Sequence, residues 1–177
     1  VTSQDVVTFT GSKSTGLKLR SHPKILSESV PFNMEADSLN AIVLGEDVEP
    51  SMPEWDIFIK EVRKEMTVKA GQKCTAVRRI FVPENKMEDV WKAIATALRQ
   101  TTIGNPLNEK VRMGSLAGQS QREEVKQQVQ KLLASSQIVY GSLDSVEVID
   151  ADPDKGSFLS PILLLNEKPF AAEAVHE

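Results

Sequence analysis

The chain has 177 residues and a mass of 19.5 kDa, is 40% apolar and 26% charged, and carries a formal charge of −4 with a pI near 5.4. This is ordinary globular usage in a chain long enough to bury a core without a disulfide or metal staple, and it excludes a disordered, collagen-like or coiled-coil protein. A mildly acidic chain without a basic cluster is expected to bind neither nucleic acid nor an anionic membrane surface. The longest apolar run, Pro161 to Leu165, is too short to span a bilayer.

Val6 to Thr10 is β-branched and aromatic and reads as a strand. It runs into Gly11-Ser12-Lys13-Ser14-Thr15-Gly16 and then a short helix around Leu17 to Leu19, limited by Pro23. Val30 to Met34 is a second extended segment. Ala41 to Leu44 is a third, continuously apolar and so expected to be buried on both faces. Ser51-Met52-Pro53-Glu54 has the form of a capping box. Trp55, Phe58, Ile59, Val62 and Met66 then share one helical face, and the helix is expected to end near Gly71. Arg79 to Val82 reads as a strand stopped by Pro83. A second amphipathic helix carries Met87, Val90, Trp91, Ile94 and Leu98 and is broken at Gly104-Asn105-Pro106. A third, about Gln119 to Ala134, is expected to bury Val125, Val129, Leu132 and Leu133. Ile138 to Tyr140, Val146 to Ile149 and Ile162 to Leu165 read as later strands. Strands alternating with helices predict an α/β fold with a mainly parallel sheet flanked by helices, and chemistry at the carboxyl ends of its strands.

The chain has one cysteine and two histidines. Cys74 cannot form an internal disulfide, which fits a reducing, cytoplasmic setting. His22, His176 and Cys74 are too far apart in sequence for a zinc motif, and no metal is expected. Val1 to Arg20 has no apolar leader core and no initiator Met precedes it, so the chain is expected to be an internal piece of a longer protein.

Three segments carry candidate chemistry. Thr10-Gly11-Ser12-Lys13-Ser14-Thr15-Gly16 follows a strand, and its glycines would let backbone approach a phosphate; a plain strand-to-helix turn also needs glycine there. Gly71-Gln72-Lys73-Cys74-Thr75 places a thiol in a loop. The flanking Lys69, Lys73, Arg78 and Arg79 supply positive charge favourable to a thiolate, whereas a small buried hydrophobe is the alternative fate of a lone Cys. Met34-Glu35-Ala36-Asp37 places a carboxylate after an extended segment, where it would act as a general base on water. Asp37 competes with Glu35, and spacing does not choose between them.

Taken in order, Val7-Thr8-Phe9-Thr10-Gly11-Ser12, Glu35 and Gly71-Gln72-Lys73-Cys74 resemble the aldehyde dehydrogenase superfamily. Ile103-Gly104-Asn105-Pro106 and Met113-Gly114-Ser115-Leu116 resemble its downstream Gly-Asp/Asn-Pro and Met-Gly-Pro-Leu segments, so the resemblance covers nearly the whole chain. Phe32 to Asn40 and Lys69 to Ala76 further resemble the aldehyde dehydrogenase module of the bifunctional phenylacetate-degradation enzymes. Two departures stand out: Ala36-Asp37-Ser38-Leu39 replaces the usual Leu-Gly-Gly-Lys, and Lys69 replaces the usual Asn five residues before the cysteine.

The resemblance implies a cysteine-bearing catalytic-domain fragment. Residues 1–30 would be the tail end of a dinucleotide-binding region, and residues 31–177 a catalytic domain truncated at both ends. It implies NADP or NAD as cofactor, with Gly11, Ser12 and Gly16 near its phosphates, and an aldehyde substrate, expected to be a CoA-linked semialdehyde. Cys74 would be the nucleophile that forms a thioester, and Glu35 the base for its hydrolysis to an acid. Acylating, CoA-dependent relatives need no such base and are the enzymatic alternative; a noncatalytic α/β interaction domain is the other. The missing Rossmann and C-terminal parts would be the chain's natural partners. Without them it is expected to be inactive and to form a homo-oligomer through exposed strand edges.

Overall fold

The computed structural model describes residues 1–168 and 170–175. It divides into two compact units, Val1–Ser38 and a second that begins at Leu39. The second strand pairs with the first and so belongs to the first unit. His176 lies outside the described residues.

The first unit is built from β1 (Val7–Gly11), α1 (Lys13–Arg20), α2 (Pro23–Ser27) and β2 (Phe32–Ala36). The two strands pair in parallel, with Val7 opposite Phe32, Thr10 opposite Glu35 and Gly11 opposite Ala36. Side chains alternate across a strand. Val7, Phe9, Phe32, Met34 and Ala36 are half-buried, while Thr8, Thr10, Asn33 and Glu35 are exposed. Helix α1 rests on the apolar side at Gly16, which is buried; a Cβ there would stand 2.4 Å from Met34 Sδ and 3.1 Å from Phe9 Cδ1. Pro23 does more than end the preceding helix. It opens α2, where its missing N–H costs nothing, and His22 Nδ1 accepts the Lys24 N–H at 3.1 Å.

The second unit contains β3 (Asn40–Val43), α3 (Pro53–Thr67), β4 (Val77–Phe81), α4 (Met87–Arg99), α5 (Gln119–Leu132), β5 (Gln137–Tyr140), β6 (Leu163–Leu165) and α6 (Ala172–Val175). β3 and β4 pair in parallel, and β5 and β6 antiparallel. The expected α/β class with mainly parallel pairing holds. The predicted faces of α3 and α4 form the core, in which Trp55, Phe58 and Val62 meet Val90, Ile94 and Leu98, closed by Leu44 and Leu163. Val62 and Leu98 are wholly inaccessible and Ile94 nearly so. Each such side chain contributes about 1.5–3 kcal/mol relative to exposure. The buried Lys86 spans the loop after β3: its Nζ donates to the Glu46 and Val48 carbonyls and to Glu49 Oε1.

Several local expectations are corrected. Helix α3 has Met52 as its N-cap with no side-chain hydrogen bond, so the capping box at Ser51 does not form. Pro53 at the first helical position, with Glu54 and Asp56 in the first turn against the positive end of the dipole, sets that start. The helix ends at Thr67, and a short 3-10 turn covers Val68–Gly71. β3 is not buried on both faces: Ala41 is exposed, and Val43 is 69% exposed. On α5 only Val129 is buried. Val146 to Ile149 is not a strand; only Ile149 bridges, to Gly104, while Val146 and Val148 pack on a second cluster of Ile103, Met113 and Phe158. Among the described residues no helix is long and apolar enough to cross a membrane.

Candidate active site

Cys74 sits between the end of α3 and the start of β4, in a backbone that departs from helix geometry at once. Thr67 Oγ1 donates to the Arg63 carbonyl at 2.8 Å, and Val68 turns extended. Lys69, Ala70 and Gly71 follow with φ of 53°, 52° and 71°. Left-handed backbone costs an L-residue about 1–2 kcal/mol. Only at Gly71 is that cost avoided, so Lys69 and Ala70 hold this shape because their surroundings impose it. Ala70 packs against the Ile103, Met113 and Phe158 cluster.

The loop is then tied down by side-chain donors. Gln72 Nε2 donates to the Lys69 carbonyl at 3.0 Å, and Gln72 Oε1 accepts the Ala117 N–H at 2.9 Å. Arg78 Nη1 donates to the Gly71 carbonyl at 2.8 Å, and Nη2 reaches the Lys73 carbonyl at 3.5 Å. Asn40 Nδ2 donates to the Cys74 carbonyl at 2.7 Å and to the Ala76 carbonyl at 3.2 Å. The Ala76 N–H closes a turn on the Lys73 carbonyl at 3.1 Å, with Cys74 and Thr75 at its centre. The Cys74 residue is exposed.

Two of the four cations around Cys74 have specific partners. Lys73 Nζ pairs with Glu65 Oε1 at 2.6 Å, in a mostly buried contact that leaves Glu65 Oε2 without a hydrogen-bond partner. Arg78 is spent on carbonyls, and a removed partner there would leave unsatisfied polar groups.

Gly11, Ser12, Gly16 and Glu35 are brought together in the first unit; Cys74 belongs to the second. Gly11 and Ser12 are exposed at the carboxyl end of β1, and Gly11 puts no side chain in the way of a ligand. Ser12 caps α1, its Oγ accepting the Thr15 N–H at 3.4 Å. Asp37, with φ of 58°, accepts the Lys13 N–H at 3.0 Å. This separates the two carboxylates that spacing left equal. Asp37 is committed to the start of α1, while Glu35 stands exposed opposite Thr10. Gly16 contributes by packing beneath α1. No group of three His, Cys, Asp or Glu side chains among the described residues is placed to hold a metal. A groove of about 580 Å³ runs between α3 and α4, lined in part by Trp55, Ile59, Arg63, Ala93 and Thr96, and it includes no residue of the Cys74 loop.

The family model for the aldehyde dehydrogenase family matches residues 2–177. The chain belongs to the aldehyde dehydrogenase family. It is 41% identical over 177 residues to a 3,4-dehydroadipyl-CoA semialdehyde dehydrogenase of Aromatoleum evansii, covering the whole of this chain and 34% of that protein. It is 26% identical to aldehyde dehydrogenase family 7 member B4 of Arabidopsis thaliana, over 96% of this chain and 35% of that protein. The fold matches a betaine aldehyde dehydrogenase of Staphylococcus aureus solved with NAD+, with a TM-score of 0.83 at 19% identity, over 98% of this chain and 33% of that one. The chain therefore spans about a third of the length of these relatives. The resemblance read from its motifs holds.

Within this aldehyde dehydrogenase chain, Asn40, Glu65 and the side-chain roles of Gln72 and Arg78 escape a reading of the sequence. Gln72 is flagged by its place in Gly-Gln-x-Cys. Asn40 has no local signal, because its partner lies 34 positions away.

Proposed function

We propose that this chain is the nucleophile-bearing part of an NAD(P)-dependent aldehyde dehydrogenase that oxidises a CoA-linked semialdehyde to the acid, in the breakdown of phenylacetate. The observation that carries this reading is the 41% identity, along the entire chain, to a protein named for such a semialdehyde. The exposed, rigidly held Cys74 supports it.

Cys74 Sγ, as thiolate, adds to the aldehyde carbon to form a carbon–sulfur bond and a tetrahedral oxyanion, which the Cys74 backbone N–H stabilises. NAD(P), when bound, supplies the two-electron acceptor that converts this adduct to a thioester. Gly11 and Ser12 would hold its phosphate side; their exposure and the bare backbone at Gly11 fit that contact. Glu35 takes a proton from the water whose oxygen attacks the thioester carbon. The carbon–sulfur bond breaks, releasing acid and returning the thiolate. Asp37 is the poorer base, being held by the Lys13 amide. Retention of Glu35 favours hydrolysis over transfer of the acyl group to CoA.

The test is product analysis with the protein at its full natural length. Semialdehyde and NAD(P) should give the free acid, and Cys74→Ala should abolish nicotinamide reduction. A new CoA thioester as product would favour the acylating reading; full activity in Cys74→Ala would refute both.

A further inference from the structure

We propose that Arg78 is a positioning residue for Cys74, its guanidinium fixing the peptide plane that carries the Cys74 amide. The proposal rests on the reading of Cys74 as the nucleophile. A peptide is planar and trans, so its carbonyl and its N–H point in opposite directions. The Lys73 carbonyl is drawn toward Arg78 Nη2 at 3.5 Å and accepts the Ala76 N–H at 3.1 Å. The N–H of Cys74, on the same plane, is thereby aimed away from the guanidinium. The second arm of the fork, Nη1, holds the Gly71 carbonyl at 2.8 Å, at the end of the left-handed run. One rigid planar group thus brackets the residues just before the nucleophile, a task for which a lysine has the wrong geometry.

The sheet is built to deliver this side chain. Asn40 pairs with Val77 and Ala41 with Arg79, so Arg78 is the extra residue of an irregularity in the β3–β4 register. An extra residue of this kind bends its strand and re-aims a side chain. Here it turns Arg78 back along the chain, toward carbonyls five and seven positions earlier. The partner strand contributes Asn40, which holds the Cys74 and Ala76 carbonyls from the other side of the turn. Without Arg78, the Gly71 carbonyl would lose its side-chain donor and the Lys73 carbonyl would keep only the Ala76 N–H, so the peptide plane that carries the Cys74 amide would be held less firmly.

The variants to make are Arg78→Met and Arg78→Lys, in the protein at its full natural length. In Arg78→Met, kcat for the aldehyde should fall about tenfold to a hundredfold with KM nearly unchanged, as expected when a contact made only in the transition state is lost. Alkylation of Cys74 by iodoacetamide, which develops no oxyanion, should keep its wild-type rate and pH profile. Arg78→Lys should restore only part of kcat. The proposal is overturned if kcat is unchanged, or if kcat and alkylation fall together, since the latter marks a charge or folding role. Hydrogen exchange at the amides of residues 69–76 gives a readout independent of turnover, and Arg78→Met should accelerate it. If the wild type oxidises no aldehyde through Cys74, the dehydrogenase reading fails on its own, and unaccelerated exchange in Arg78→Met overturns the clamp separately.

Discussion

The turn after β1 and the turn before β4 both carry glycines and both hold candidate chemistry, yet they keep their shapes by different means. The first is local. Ser12 caps its own helix, Asp37 takes the Lys13 amide, and Gly16 leaves room for Met34, whose Sδ a Cβ would displace. The second is long-range. Gly71 is needed for its positive φ, and the loop that holds two neighbours without that freedom is tied by side chains from β3 and β4 and by the Ala117 backbone N–H, which donates to Gln72. A cap supplied by the turn itself, as Ser12 is, can be read from a short motif. A turn held from outside is known only once the fold brings its clamps together.

Substitutions can break this contrast in order of size. Gly16→Leu should cost the most, about 3 kcal/mol from overpacking α1 on β1 and β2, read as a loss of urea stability in the first unit with Cys74 alkylation unchanged. Gly71→Ala should cost about 1–2 kcal/mol for its left-handed backbone and, unlike Gly16→Leu, should accelerate amide exchange across the Cys74 loop. Asp37→Ala should cost about 1 kcal/mol by releasing the Lys13 amide at the start of α1, with circular dichroism and denaturation as the check.

The smallest effect concerns charge. Side-chain hydrogen bonds from Lys92 and Lys64 hold the Glu88 and Glu61 carboxyls below the usual carboxylate range. A folded-state pKa lowered in this way adds stability that is present above the unfolded value and lost as pH falls through the folded one. Both groups are fully exposed, so Glu88→Gln should flatten the acid limb of the stability curve only slightly, and less in high salt. Above pH 10 the sign reverses at Tyr140. Burial raises its pKa, so the stability it adds is present below the unfolded value and lost as pH rises toward the folded one.

The parts of the molecule that followed from local pattern were legible in advance. The apolar stripes of α3 and α4 became the core because a 3.6-residue period leaves a helix one face to bury. Glu35 and Asp37 are alike by spacing, and the fold tells them apart only in that Asp37 accepts the Lys13 N–H. What was not legible depended on distant partners. Val146 to Ile149 alternates like a strand, but its apolar side chains are satisfied by the Ile103, Met113 and Phe158 cluster, and it needs no ladder. Ser51 looks like a cap, yet the helix starts one residue later because Pro53 sets the first turn. Val43 looks like buried strand, and within these residues nothing covers its outer face. The clamp on Cys74 joins residues up to 45 positions apart.

The most direct test of the central claim is intact-mass and peptide mass spectrometry of Glu35→Gln at full natural length, mixed with a CoA-linked semialdehyde and NAD(P). The account predicts an acyl adduct on the Cys74 peptide that accumulates in Glu35→Gln, turns over in wild type and is absent in Cys74→Ala. An adduct on another residue, or none in Glu35→Gln while aldehyde is still consumed, would contradict it.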